Sequence, residues 1–367
     1  LNLEPQLWTA EVVYTGFGTP MLAGALAVVG AHVAAVGELE ALRQRYPQAP
    51  LIHKGKALTP PVVNAHTHLD LSKLGYYQGP YTGFIRQVIA NAAERGVEAA
   101  QLGLAKLQAA HTGAFGDIVA RDEGMEYLLL ESPLPGVAYR EVLGTNPEQA
   151  GEIFEAVKPK LLAWKRREGR VKVGISPHTA HTVSAPLLKK LFEFAALEGF
   201  PLQIHLAESP EESAYFRDNT GPLAGFMAPF NPSWRGLGLS PVEYLAHLGG
   251  LGPNLTLVHG VQVNENDVQI LAQTGCKVVS CPRSNAGLEC GSFPWELYGK
   301  YHLEVALGTD SLGSSPDLDV KNEALFLWQQ VDPRALVRAV TRGGYRVLGL
   351  EAARITRGTP VSQVQSW

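Results

Sequence analysis

From residue 60 onward the chain predicts a parallel (β/α)8 barrel, an α/β fold, and three observations carry that expectation. Short apolar runs alternate with stretches of helical length, which is the grammar of strand, crossover helix, strand. The polar residues able to do chemistry fall at the carboxyl ends of those runs, where a parallel barrel builds its active site. The length, 367 residues with 46% hydrophobic and 18% charged, suffices for one large barrel and a small appendage. A doubly wound open sheet is the alternative, because a pattern of runs does not by itself close a sheet.

The elements follow in order. Residues 1–59 read as a small β unit, with strands at Trp8–Tyr14, Ala25–Val29, Ala31–Val36 and near Leu51–His53, a helical turn at Glu38–Tyr46, and prolines as punctuation. Leu22–Gly37 lacks the basic flank of a signal peptide and is too short and interrupted for a membrane span. The barrel strands are expected at Val62–Ala65, Ala114–Val119, Gly136–Val142, Val171–Ser176, Pro201–His205, Leu255–His259, Lys277–Ser280 and Leu303–Leu307. Helices are expected at Phe84–Arg95, Val97–His111, Gly124–Glu131, Pro147–Arg167, Ala185–Glu198, Pro241–Leu248, Asn264–Gln273, Asp319–Gln330 and Pro333–Leu348. Ser184, Ser240, Asn264 and Asp319 are suited to cap four of them. The last residues, 356–367, are expected to return to the N-terminal β unit, giving a division into 1–59 plus 349–367 and 60–348.

Composition excludes some functions. A net charge of −4 offers no electrostatic reason to bind nucleic acid or an anionic membrane, so the partner expected is a small molecule. Three cysteines without a pairing pattern fit a reducing cytoplasm. Assembly as a monomer or a homodimer stays open.

His66 and His68 stand two apart at the end of the first barrel strand, so both imidazoles project to one side. Two imidazoles aimed at one point suit a divalent metal such as zinc. The other strand ends add Ser176-Pro177-His178, His205-Leu206-Ala207-Glu208, His259-Gly260, Cys281-Pro282-Arg283-Ser284-Asn285 and Gly308-Thr309-Asp310-Ser311. One strand-end histidine is ordinarily a hydrogen-bonded structural group. Their recurrence at the same end of several strands makes that reading improbable for the set.

The segments VVNAHTHLD, SPHTAHTVS, QIHLAES, LVHGVQV, CPRSNAGL and LGTDS resemble the amidohydrolase superfamily, and within it the adenosine-type and chlorohydrolase-type deaminases. The resemblance spans about residues 60–315. It implies a metal-dependent (β/α)8 barrel with a β-sandwich built from both chain ends, and hydrolytic removal of ammonia from a ring carbon. It implies His66, His68, His205 and Asp310 as metal ligands, and Glu208 as the acid that protonates purine N1. Asp310 would carry the water proton, His259 would hold the attacking oxygen, and His178 would contact the base. Binuclear relatives place a carboxylated lysine where this chain has Ser176-Pro177-His178, so one divalent metal per chain is expected, zinc first, with iron or manganese as alternatives. The family segment often has an aromatic where this chain has His181, whose role stays open.

Two softer tracts, Tyr139–Gly144 and Gly79–Phe84, resemble the deaminases that act on aminodeoxyfutalosine in menaquinone biosynthesis. That substrate carries a benzoate far from the amine, so a cation is expected beside it: Arg283, Arg86 or Arg140, with Ser284 and Asn285 as further substrate contacts. Deamination of S-adenosylhomocysteine, methylthioadenosine or adenosine is the alternative, as is hydrolysis of another cyclic amidine or amide. A non-catalytic scaffold of the same fold ranks last, because the ligand set and Glu208 are all present.

Overall fold

The computed structural model describes residues 4–367; residues 1–3 of the expected β unit lie outside it. The chain opens with strands β1 (Gln6–Thr9), β2 (Val12–Val13), β3 (Gly24–Val29), β4 (His32–Glu38), β5 (Leu51–His53) and β6 (Ala57–Thr59). The one run expected over Trp8–Tyr14 is broken between β1 and β2, and the two pieces join different sheets. Four strands form a sheet in the order β4-β3-β1-β5. A second sheet has the order β15-β6-β2, where β15 (Gln365–Ser366) runs antiparallel to β6.

The remaining strands are β7 (Val63–Thr67), β8 (Ala114–Val119), β9 (Gly136–Val142), β10 (Val171–Pro177), β11 (Leu202–Leu206), β12 (Leu255–His259), β13 (Lys277–Ser280) and β14 (Val305–Leu307). They form an eight-stranded sheet in strict sequence order, parallel at every junction. Strands such as β8 and β12 are buried at every position, as expected when helices cover one face and the barrel interior the other. Asn64 on β7 brings the sheet round to its first strand. Its amide donates to Thr309 Oγ1 at 2.8 Å and accepts from Thr309 N at 3.0 Å, and Asp310 N donates to the His66 carbonyl at 3.1 Å. Gly308 is required at this closure, because a Cβ there would stand 2.7 Å from His66 Cβ.

The helices fall close to the expected ranges, with caps that explain their starts. Ser240 and Asn264 each make a reciprocal capping box, and Asp319 accepts from Lys321 N. Ser184 precedes its helix without a capping hydrogen bond. Short helices at Pro210–Asp218, Gly221–Met227, Pro282–Gly287 and Trp295–Lys300 are additional to those expected. The segment Pro333–Leu348 is helical throughout but contains a π turn at Ala339–Gly343. Among the described residues, no helix is long and apolar enough to cross a membrane.

Candidate active site

The carboxyl ends of β7, β11, β12 and β14 bring His66, His68, His205, Glu208, His259 and Asp310 together, all buried. The ring centroids of His66 and His68 are 5.0 Å apart, and those of His66 and His205 are also 5.0 Å apart. His68 Nε2 lies 3.0 Å from His205 Nε2 and 3.4 Å from Asp310 Oδ1. Three overlapping groups could hold a cation: His66–His68–Asp310, His66–His205–His259 and Glu208–His259–Asp310.

The outer hydrogen bonds sort these histidines by tautomer. His66 Nδ1 lies 3.0 Å from Gln203 Oε1, whose own amide donates to the Ala65 carbonyl at 2.9 Å. His205 Nδ1 lies 2.7 Å from the His178 carbonyl. Both partners only accept, so each Nδ1 carries the proton and each Nε2 presents a bare lone pair. His66 Nε2 is buried with no hydrogen-bond partner, which would be costly in a finished interior. A bare imidazole lone pair converging with a second one and a carboxylate is the donor set of a divalent cation, so these residues fit one. His259 is set the other way. Asn285 Nδ2 donates to its Nδ1 at 3.0 Å, so Nε2 carries the hydrogen and faces Glu208 Oε2 at 3.6 Å.

Asp310 Oδ2 accepts from Ser284 Oγ at 2.7 Å and from Ser314 Oγ at 2.9 Å, which leaves Oδ1 toward the histidines. Three strand-end residues, Ala207 (φ 52°), His259 (φ 75°) and Asp310 (φ 62°), sit in left-handed backbone conformations. Non-glycine residues are rarely found there, and such strained backbone clusters at functional sites.

Burial sets the protonation states. It pulls His66 and His205 down to about 4 and His259 to about 3, so all three are neutral near pH 7. Burial, with the Asp310 and Glu212 charges beside it, pushes Glu208 well above the carboxylate range, against a hydrogen bond from Tyr81. Burial also works to raise Asp310, but the neighbouring His259 and His66 and the Ser284 hydroxyl outweigh it, and its acidity increases.

The cluster forms the base of a cavity of about 500 Å³. His178, Thr179 and Thr182 line one wall, and Phe84, Ile89, Leu143, Phe226 and Phe230 form an apolar mouth. Ile89 (57% exposed) and Phe230 (54% exposed) are open to solvent there.

The expected substrate contacts do not all reach the cavity. Arg283 does not line the cavity, because its guanidinium is clamped by Asp317 (2.8 and 2.9 Å) and Glu323 (2.7 Å). Arg140 does not line it either and is paired with Asp122 at 3.0 Å. Ser284 and Asn285 also stand outside the lining and hold Asp310 and His259 instead. Arg86 does not line the cavity either; it is exposed, its guanidinium lies 5.4 Å from the ring centre of Phe226, which does line it, and among the described residues Arg86 forms no ion pair. His181 lies in a separate cavity of about 160 Å³ with Ser184 and Tyr215. Sequence reasoning missed Gln203, Tyr81, Arg95 and Glu141. Gln203 had a signal, since it lies two before His205 and therefore shares its face of the strand.

The model of the amidohydrolase family matches residues 57–360, and an imidazolonepropionase-like composite domain matches residues 24–49. An aminodeoxyfutalosine deaminase of Deinococcus radiodurans is 42% identical, over 99% of this chain and 90% of its own. The Helicobacter pylori aminofutalosine deaminase, solved with methylthio-coformycin, superposes with a TM-score of 0.75 at 20% identity, covering 97% of this chain and 90% of that one. An adenosine deaminase from Xanthomonas campestris with bound zinc gives a TM-score of 0.68 at 22% identity, covering 97% of this chain and 83% of that one.

Proposed function

The chain belongs to the amidohydrolase family, and from that premise we propose that it is a hydrolytic deaminase that releases ammonia from purine C6 of an adenine nucleoside, with aminodeoxyfutalosine as substrate. The observation that carries the chemistry is Glu208. This buried carboxyl, kept in its acid form, faces the histidine–aspartate cluster from a cavity large enough for a nucleoside. His66, His68, His205 and Asp310 would hold one divalent ion, zinc first, with iron or manganese as alternatives. Bound there, such an ion supplies the Lewis acidity that brings the pKa of a water to about 7.

The chain's own residues move the protons. Glu208 gives its proton to N1 of the purine as the water oxygen adds to C6. Asp310 takes one proton from that water, and the Nε2–H of His259 donates a hydrogen bond to the attacking oxygen. The proton on Asp310 passes to the amine, the C6–N bond breaks, and ammonia leaves. The remaining hydroxyl proton returns to Glu208, so the product carries a C6 carbonyl and an N1–H. His178 borders the purine.

Two features favour a substrate with a long aryl arm. The apolar mouth suits a benzene ring, and Arg86 is the cation beside it with no carboxylate partner among the described residues. Ammonia release from aminodeoxyfutalosine, methylthioadenosine, S-adenosylhomocysteine and adenosine tests the proposal. The highest kcat/KM is expected with aminodeoxyfutalosine. A higher value with methylthioadenosine or S-adenosylhomocysteine would replace the substrate and keep the chemistry. No ammonia from any of them would remove the chemistry as well.

A further inference from the structure

Glu141, near the end of β9, lines the same cavity but has no part in the proton transfers above. It is 5% exposed. Its carboxylate faces two groups, both beyond hydrogen-bond length. Oε1 is 3.9 Å from His178 Nε2, and Oε2 is 3.7 Å from Arg95 Nη2. Arg95 does not satisfy it, because that guanidinium makes a two-point contact with Asp70 at 3.0 and 3.1 Å. His178 is likewise engaged through Nδ1 with Thr182 Oγ1 at 2.8 Å. A buried carboxylate needs donors, and the acceptor capacity left on Glu141 is available to whatever fills the cavity.

The position says which part of a nucleoside meets it. The C6 edge of the purine belongs beside Glu208 and Asp310. The His178 ring is 5.2 Å from that of His205, and Glu141 lies next to His178; with C6 so placed, His178 would border the part of the base away from it. The sugar leaves the base on that side. A ribose offers two adjacent O–H donors, which match the two oxygens of one carboxylate. The base offers no such pair.

We propose that Glu141 accepts hydrogen bonds from the vicinal 2′- and 3′-hydroxyls of the substrate sugar and makes the site selective for ribosides over deoxyribosides. This rests on the nucleoside reading above. Arg95 is a positioning residue in this arrangement, holding the Glu141 charge in place while anchored to Asp70. A hydrogen bond to a charged group corresponds to roughly 10–150-fold in affinity, so each hydroxyl is expected to contribute a factor in that range.

The test is calorimetric binding of coformycin, a riboside mimic of the hydrated purine, and of 2′-deoxycoformycin to the metal-loaded enzyme. Wild type is expected to bind the riboside about 10–150-fold more tightly. In Glu141→Ala the two constants are expected to converge, mainly through weaker riboside binding. Glu141→Gln keeps one acceptor oxygen and is expected to fall between them, and it serves where the alanine variant does not fold. Equal binding of both ligands by wild type overturns the proposal and leaves the nucleoside reading standing. So does an equal loss for both ligands in the variants. Binding of neither ligand, with no ammonia from any nucleoside, overturns both.

Discussion

Asn285 and His259 are joined by a 3.0 Å hydrogen bond in which the amide donates to Nδ1, and this single contact separates His259 from the other histidines of the site. His66 and His205 donate outward from Nδ1 to Gln203 and to the His178 carbonyl, and present bare Nε2 lone pairs inward. His259 presents an N–H instead. One residue type thus presents both bare lone pairs and a hydrogen-bond donor, and the neighbours decide which.

Asn285→Ala should therefore lower kcat by about 10–100-fold, the usual scale for a group that orients a metal-site histidine. Metal content should stay at the wild-type level, because the ligands keep their own partners. Elemental analysis alongside kinetics checks this. Loss of the metal with the amide would mean that His259 belongs to the coordination set.

Glu208→Gln should retain the metal and lose roughly 10²–10⁴-fold in turnover. The amide keeps the shape but has no proton to give. Chelation of wild type should abolish turnover, and restoration should need one divalent ion per chain. Near-normal turnover in the glutamine variant, or two ions in the active form, would contradict the assignment.

Arg86→Met should lower kcat/KM for aminodeoxyfutalosine by roughly 10–150-fold and leave adenosine little changed. Arg283→Met should behave differently. It strands the fully buried Glu323 carboxyl and should cost about 3–5 kcal/mol of stability, with no selectivity between substrates. Kinetics on both substrates and a denaturant titration separate the two behaviours. Equal loss on charged and uncharged substrates in the Arg86 variant would leave the carboxylate without its cation.

The buried histidines should resist protonation in the folded, metal-free protein. Burial holds His66, His178 and His205 at about 4, and His181 and His259 at about 3, below the ordinary value of 6.5. Between pH 6.5 and about 4 the unfolded chain therefore binds protons that the folded chain refuses. The contribution of these histidines is full above 6.5 and falls as the pH drops through that window, by up to about 1.4 kcal/mol per pH unit for each such group. The buried Glu208, Glu212 and Glu323 carboxyls, raised above their ordinary value, contribute with the opposite sign over part of this window. The check is therefore an NMR titration of the imidazoles in the metal-free protein, and protonation near 6.5 in the folded chain would overturn the expectation.

Much of the site was legible because its parts are local. His66 and His68 share a strand face through the period of two, and Glu208 follows His205 within one turn of chain. Alternation of apolar runs with helical stretches gave the barrel order for the same reason, since each run is a short stretch of contiguous chain. The break between β1 and β2 was not legible, because it depends on which sheet each piece joins.

What the sequence by itself determined was which imidazole and carboxyl groups stand at each strand end, and the order of the strands. Only the tertiary structure decided their states. Arg283 looked like a free cation in its own segment, yet Asp317 and Glu323 reach it from the chain beyond β14. Asn285 and Ser284 looked like substrate contacts, yet they hold His259 and Asp310 from the next loops around the barrel. The protonation of Glu208 and the tautomers of three histidines likewise follow from burial and from partners on other strands. Charge, proton and hydrogen-bond partner belong to pairs of residues far apart in the chain, and only closing the barrel brings those pairs within reach of one another.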